Sequence, residues 1–176
     1  MNMAHHIYTT EGFIIDSAPL AEANRFYTLF TRDLGMIKAT AQGVRLQKSK
    51  LRSALQDFSL STISLVRGKE MWRITNAQLE ANLFTEFQTT HSLVHLMAKI
   101  ALLLKRLMPG EEKNEDLFAL IKNIFTQGEI STFDKNQVKA LELYTVLHIL
   151  FYLGYLGQHQ KLRRFIGKTV DQTLLE

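Results

Sequence analysis

Hydrophobic and polar positions alternate or cluster in short runs over the first half of the chain and recur at helical spacing over the second. Ile7 to Ile15 and Arg25 to Thr31 are rich in β-branched and aromatic residues, and the polar, Pro19-containing stretch Asp16 to Asn24 separates them. They predict two strands joined by a turn. A third strand is expected from Met36 to Gln42, between Gly35 and Gly43. Phe58 to Val66 alternates well enough for a strand with both faces partly used, and Arg67, Gly68 and Lys69 then form a turn before a fifth strand from Met71 to Ala77. Five short strands are the number in a small closed barrel such as an oligonucleotide-binding fold, although other small β topologies satisfy the same pattern.

Beyond Asn76 the period changes. Leu93, Leu96, Met97, Ile100, Leu103, Leu104 and Leu107 follow the spacing of a buried helix face, ended by Pro109-Gly110. A second helix is expected to start at Asn114-Glu115-Asp116 and stop at Gly128. A third is expected from Lys135 to about Tyr155, and its second half is apolar nearly all round, which predicts a central helix covered by its neighbours. The fold class is therefore α+β: an N-terminal five-stranded barrel in residues 1–79 and an all-helical domain in residues 80–176.

Composition narrows the function. With 46% hydrophobic residues in 176, the chain can bury a core, and the absence of cysteine removes disulfides, thiolate zinc sites and cysteine nucleophiles together. That is compatible with a reducing cytoplasm. The most apolar stretch, Leu143 to Leu156, is shorter than the roughly 20 residues of a membrane-spanning helix, and no early run has the form of a signal peptide. A net charge of +4 favours polyanionic partners only weakly, and placement says more. Lys38, Arg45, Lys48, Lys50 and Arg52 fall in one stretch free of acidic residues and interspersed with Gln42, Gly43, Gln47, Ser49 and Ser53. On a loop, such residues can meet successive phosphates. Solvation alone would explain the same loop equally well. Arg67, Lys69 and Arg73 extend the basic set. Phe26, Tyr27, Phe30, Phe58 and Trp72 could stack on bases, but core packing is the simpler role for each, with Tyr27 and Trp72 the least settled.

Catalytic chemistry finds little support. His91 and His95 lie one helical turn apart, but the glutamate of a His-Glu-x-x-His motif is missing and no third ligand is evident. His5 and His6 sit near the terminus, and His148 reads as a helix-face or core residue. Glu111, Glu112, Glu115 and Asp116 share one polar loop, where solvation and a helix start account for them. No glycine-rich phosphate loop precedes a helix. The expectation is a protein that is not an enzyme and needs no cofactor.

Four ordered pieces carry a family resemblance: Glu22-Ala23-Asn24-Arg25; Leu29-Phe30-Thr31-Arg32-Asp33-Leu34-Gly35; the loop from Ala41 through Gly43, Arg45, Lys48 and Ser49 to Leu51; and Ala54-Leu55-Gln56-Asp57-Phe58. Together they resemble the N-terminal domain of the RecO family of bacterial recombination mediators. Leu102-Leu103-Leu104, Gly110-Glu111-Glu112, Asn114 to Phe118 and Tyr152-Leu153-Gly154-Tyr155 resemble its helical domain, so the likeness runs over residues 8–156. It implies an oligonucleotide-binding barrel that binds single- and double-stranded DNA, anneals complementary strands, and works with RecR to load RecA on strands covered by single-strand DNA-binding protein. The expected localisation is the bacterial cytoplasm, associated with the nucleoid.

The resemblance places Arg45, Lys48, Lys50 and Arg52 where the family's basic loop lies. It also implies a site on the helical domain for the acidic, Phe-terminated tail of single-strand DNA-binding protein, which needs an apolar pocket beside basic residues. Lys105 and Arg106, or Lys135 and Lys139, are the candidates, although solvation explains each of them more simply. Many relatives carry a cysteine cluster for zinc beyond the helical core and continue past the Leu-Gly-Tyr tract. The lack of cysteine excludes that zinc site, and Asp57 stands where the family usually has proline. The competing class is a protein-interaction scaffold with no direct DNA role, in which the basic loop serves only solubility.

Overall fold

The computed structural model describes residues 6–126 and 128–156. Its five strands are β1 (Ile7–Leu20), β2 (Asn24–Thr31), β3 (Gly35–Ala41), β4 (Ser59–Arg67) and β5 (Trp72–Asn82), followed by helices α1 (Leu83–Phe87), α2 (His91–Leu107), α3 (Glu115–Thr126) and α4 (Lys135–Tyr152). A single 3₁₀ turn, Gly128–Thr132, precedes α4.

The strands join in the order β1-β2-β3-β5-β4 and the ring closes through β4 and β1. All neighbours are antiparallel except β3 and β5. The long β1 makes closure possible: its first half, to Phe13, pairs with β4, and its second half pairs with β2, with a register irregularity between Ile14 and Asp16 where the strand bends. Gly12 lies on the inner face at this crowded stretch, where an added methyl group would meet Thr31 and Ile63 at 3.1 and 3.3 Å.

Ile14, Tyr27, Leu29, Ile37, Ile63, Leu65, Trp72 and Ile74 fill the barrel. A second apolar set faces outward. Phe13 pairs with both Leu60 and Phe30, and Phe30 pairs with Met36, so Leu60, Phe13, Phe30 and Met36 form one cross-strand row over four strands. Side chains of directly opposed residues share a face, so this row is a continuous apolar band on the outside of the barrel. The helices cover it. Phe118 of α3 stands 5.4 Å, ring to ring, from both Phe13 and Phe30, and all four row residues belong to the same buried cluster as the faces of α2 and α3.

Several details differ from expectation. The stretch Asp16 to Asn24 is mostly strand, and the β1–β2 turn is only Ala21 to Ala23, with Ala21 at φ 57. Pro19 fits there because this half of β1 pairs on one side only. β5 continues five residues past Ala77, and helix α1 has no counterpart in the expected elements; Asn82 caps it by accepting the amide of Thr85 at 3.0 Å. α4 ends at Tyr152, short of the expected Tyr155, and packs against α2 and α3; Val138, Thr145 and Ile149 are buried, the rest of residues 146–152 are half-buried, and Leu143 in the first half is 57% exposed.

Candidate nucleic-acid interface

Past the apolar row, the outer wall of the barrel turns polar. Asp16, Thr28 and Lys38 form the next cross-strand row, and Ala18, Phe26, Thr40 and Arg73 the one after it, the last step crossing the parallel β3–β5 pair. The flanking partners Ala39 with Trp72 and Ala41 with Ile74 point inward, which fixes Thr40 and Arg73 outward. Lys38 and Arg73 are exposed and Phe26 is half-buried. The wall thus presents two cations, the half-buried Thr40 and one aromatic ring on neighbouring strands, with Thr28 buried beneath them. Helix α2 reaches its edge, where Lys105 Nζ donates to Asp16 Oδ2 at 2.6 Å.

The loop of residues 42–58 closes one end of the barrel. Val44 and Leu55 are buried in the barrel interior, and the Ser61 hydroxyl donates to the Ala54 carbonyl at 2.6 Å. Its start is tied to the β1–β2 turn: Gly43 N donates to Asn24 Oδ1 at 3.0 Å, and Arg45 donates from its backbone to Ala23 O at 3.0 Å and from its guanidinium to Ala21 O at 3.1 Å. Its end is tied to β1 and β2, because Ser17 Oγ donates to Asp57 Oδ1 at 2.5 Å and accepts from Arg25 Nη2 at 2.8 Å. Between these anchors Lys48, Lys50 and Arg52 are exposed, and no described residue pairs with their side chains. The backbone is fixed at both ends while the cations face solvent.

The residues singled out in the sequence therefore fall into distinct settings. Lys48, Lys50 and Arg52 lie together on the loop, with Arg45 beside them already engaged by the β1–β2 turn. Lys38 is on strand β3, not on the loop. Lys69 is exposed at the β4–β5 turn. Arg67, at the same turn, pairs with Glu111 at 2.5 Å. Lys105 is paired with Asp16, while Arg106, Lys135 and Lys139 are exposed on α2 and α4 without a described partner. His91 and His95 are exposed on α2, and no third ligand joins them among the described residues. His5 lies outside the described residues.

Among the aromatics, Tyr27 and Trp72 are buried in the barrel and Phe30 lies under α3, while Phe58 packs against the cluster shared with the helices. Phe26 is the one on the open wall, whereas the sequence made core packing its simpler role and left Tyr27 and Trp72 the least settled. The signal was parity: Met36, Lys38 and Thr40 share one face of β3, and the strand opposite them carries Phe26 and Thr28 on that same face.

A cavity of about 250 Å³ lies between the ends of α2 and α4, walled in part by Leu107, Met108, Tyr152 and Tyr155 with Glu112 on its lining. It follows directly on Lys105 and Arg106 in the chain.

No helix among the described residues is long and apolar enough to cross a membrane. Residues 3–83 match the family model described as the N-terminal domain of recombination protein O. The DNA repair protein RecO of Dehalococcoides mccartyi is 29% identical over 164 residues, which covers 89% of this chain and 63% of the relative. RecO of a Synechococcus strain is 29% identical over 169 residues, covering 90% and 58%, and RecO of Thermodesulfovibrio yellowstonii is 30% identical over 154 residues, covering 85% and 58%. The chain thus spans about three fifths of the length of these relatives, and its match to them extends from the barrel into the helices. The barrel with its anchored basic loop, the family model and these relatives agree: the chain belongs to the RecO family.

Proposed function

We propose that this chain is a DNA-binding recombination mediator without catalytic activity of its own, acting in DNA repair in the bacterial cytoplasm. The observation that carries the reading is the union of an open barrel wall bearing Lys38, Phe26, Thr40 and Arg73 with an anchored loop bearing Lys48, Lys50 and Arg52. In oligonucleotide-binding barrels the outer face of the second and third strands, with the loops at its ends, is where nucleic acid lies. Unpaired cations there release counterions when they meet phosphates, and Phe26 offers a ring on which a base can stack irrespective of its identity. Neither interaction reads sequence. Two strands held this way would be sorted by their own base pairing, which is the chemistry of annealing.

Residues 1–79 then serve DNA, and residues 80–176 serve partners. RecR, RecA loading and the acidic tail of single-strand DNA-binding protein belong to this reading through the relatives' repair role. For the tail, Arg106, which precedes the cavity-lining Leu107 in the chain and has no described partner, is a better candidate than the paired Lys105, and Lys135 and Lys139 remain exposed alternatives.

The test is fluorescence anisotropy of labelled single-stranded DNA over a salt series. Wild type is expected to bind with a steep salt dependence. Lys48, Lys50 and Arg52 changed together to alanine should flatten the slope of log K on log salt by about 2, from about 0.7 per lost contact. Phe26→Ala should weaken binding by about 1 to 3 kcal/mol, the range for one stacked base, and leave the slope in place. Absence of binding by wild type at low salt would overturn the reading and leave the interaction scaffold.

A further inference from the structure

The β4–β5 turn closes against the helical half through one carboxylate. Glu111, in the loop between α2 and α3, accepts from Arg67 Nη1 at 2.5 Å through one oxygen and from Trp72 Nε1 at 3.0 Å through the other. The Arg67 guanidinium lies over the Trp72 ring, 4.8 Å from its centroid. Arg67 and Trp72 are register partners at the ends of β4 and β5, so a single acidic residue spans the mouth of the turn. Lys69, inside the turn, stays exposed and without a described partner.

We propose that Glu111 is an acidic latch that occupies the phosphate-binding position of Arg67 and is displaced by the DNA backbone. This rests on the DNA-binding reading above and adds a competition to it. The chemistry of the two occupants matches: a carboxylate and a phosphate diester both offer a pair of anionic oxygens to a guanidinium fork. The latch is also weak enough to open. Arg67 and Glu111 are 54% and 43% exposed, and ion pairs that open to water hold little net stability. A phosphate arriving at the same guanidinium brings a counterion-release gain that an internal carboxylate cannot match. Trp72 backs Arg67, whose guanidinium lies over a ring buried in the barrel. Opening frees Arg67 next to Lys69, so two cations at the turn become available together.

Glu111→Gln removes the charge and keeps an amide oxygen that can still accept from Trp72. Anisotropy with the full chain and labelled single-stranded DNA should then show about fivefold tighter binding at 0.1 M salt and a slope steeper by about 0.7, the signature of one more phosphate contact. Arg67→Ala combined with Glu111→Gln should abolish both changes. A tie that is only structural would lower the melting temperature of Glu111→Gln and leave its salt slope at the wild-type value, which overturns the latch while sparing the DNA reading. Should neither wild type nor Glu111→Gln bind at low salt, both proposals fall; binding by Glu111→Gln alone would support the latch.

Discussion

Tyr27 is the most informative single residue of the barrel interior. Its side chain is fully buried, and its hydroxyl has no hydrogen-bond partner among the described residues, as is also true of Nε of nearby Arg25. Burial pushes the phenol pKa up to about 12; the Arg25 charge opposes the shift and Asp57 adds to it. A raised folded-state pKa means that the native state holds its proton more tightly than the unfolded chain does. Its contribution to stability is therefore complete below pH 10 and declines as pH rises from there through about 12. Removing an unsatisfied buried hydroxyl costs little, so Tyr27→Phe is expected to match wild type at neutral pH within about 1 kcal/mol and to lack the Tyr27 share of that alkaline loss. Urea melts at pH 7, 10 and 11 would show this, and an unchanged alkaline limb would mean that the phenol does not control it. The sequence could not reveal the phenol's state, because an inward tyrosine and a base-stacking tyrosine share the same local pattern. Only the pairing of Tyr27 with Ala39 and Ser17 around the ring settles its face.

Strand count, the helical period from Leu93 to Leu107 and the basic loop were legible because each is a property of local spacing. What was not legible depended on contacts between elements. The Pro19 stretch reads as a turn until β1 is seen to pair on one side there. Gly35 shows the same dependence. It reads as the boundary of β3, yet at φ 68 its hydrogen-only face meets the backbone of Glu112, where an added Cβ would fall 2.2 Å from the carbonyl oxygen. The site is closed to side chains by conformation and by space together. Gly35→Ala is expected to lower stability by more than about 1 kcal/mol and to shift the loop that carries Glu111, which a thermal melt and amide chemical shifts around Glu111 would record. A melting temperature equal to wild type would show that this contact yields freely.

At the scale of the whole molecule, the outward row Leu60, Phe13, Phe30 and Met36 makes the barrel and the helices share a core. Ion pairs cross the same seam: Lys122 of α3 reaches Glu11 of β1 and, at 3.6 Å, Glu80 of β5, while Lys113 reaches Asp33 at 3.8 Å. The barrel still keeps its own apolar interior, to which no helix residue contributes among the described residues. Coupled unfolding in wild type and uneven damage after a cut at the seam both follow from this division. Trp72, the only tryptophan of the chain, reports the barrel, and ellipticity at helical wavelengths reports α2 to α4. In wild type the two probes should trace one transition. Phe118→Ala removes the ring between Phe13 and Phe30 and should cost about 3 to 5 kcal/mol, the range for a buried phenylalanine. The helical signal should then melt at lower denaturant than Trp72 fluorescence, since the helices lose their cover while the barrel interior is untouched. Separate transitions already in wild type would show that the seam does not couple the two halves; coincident ones in Phe118→Ala would place the coupling in the remaining row and its ion pairs.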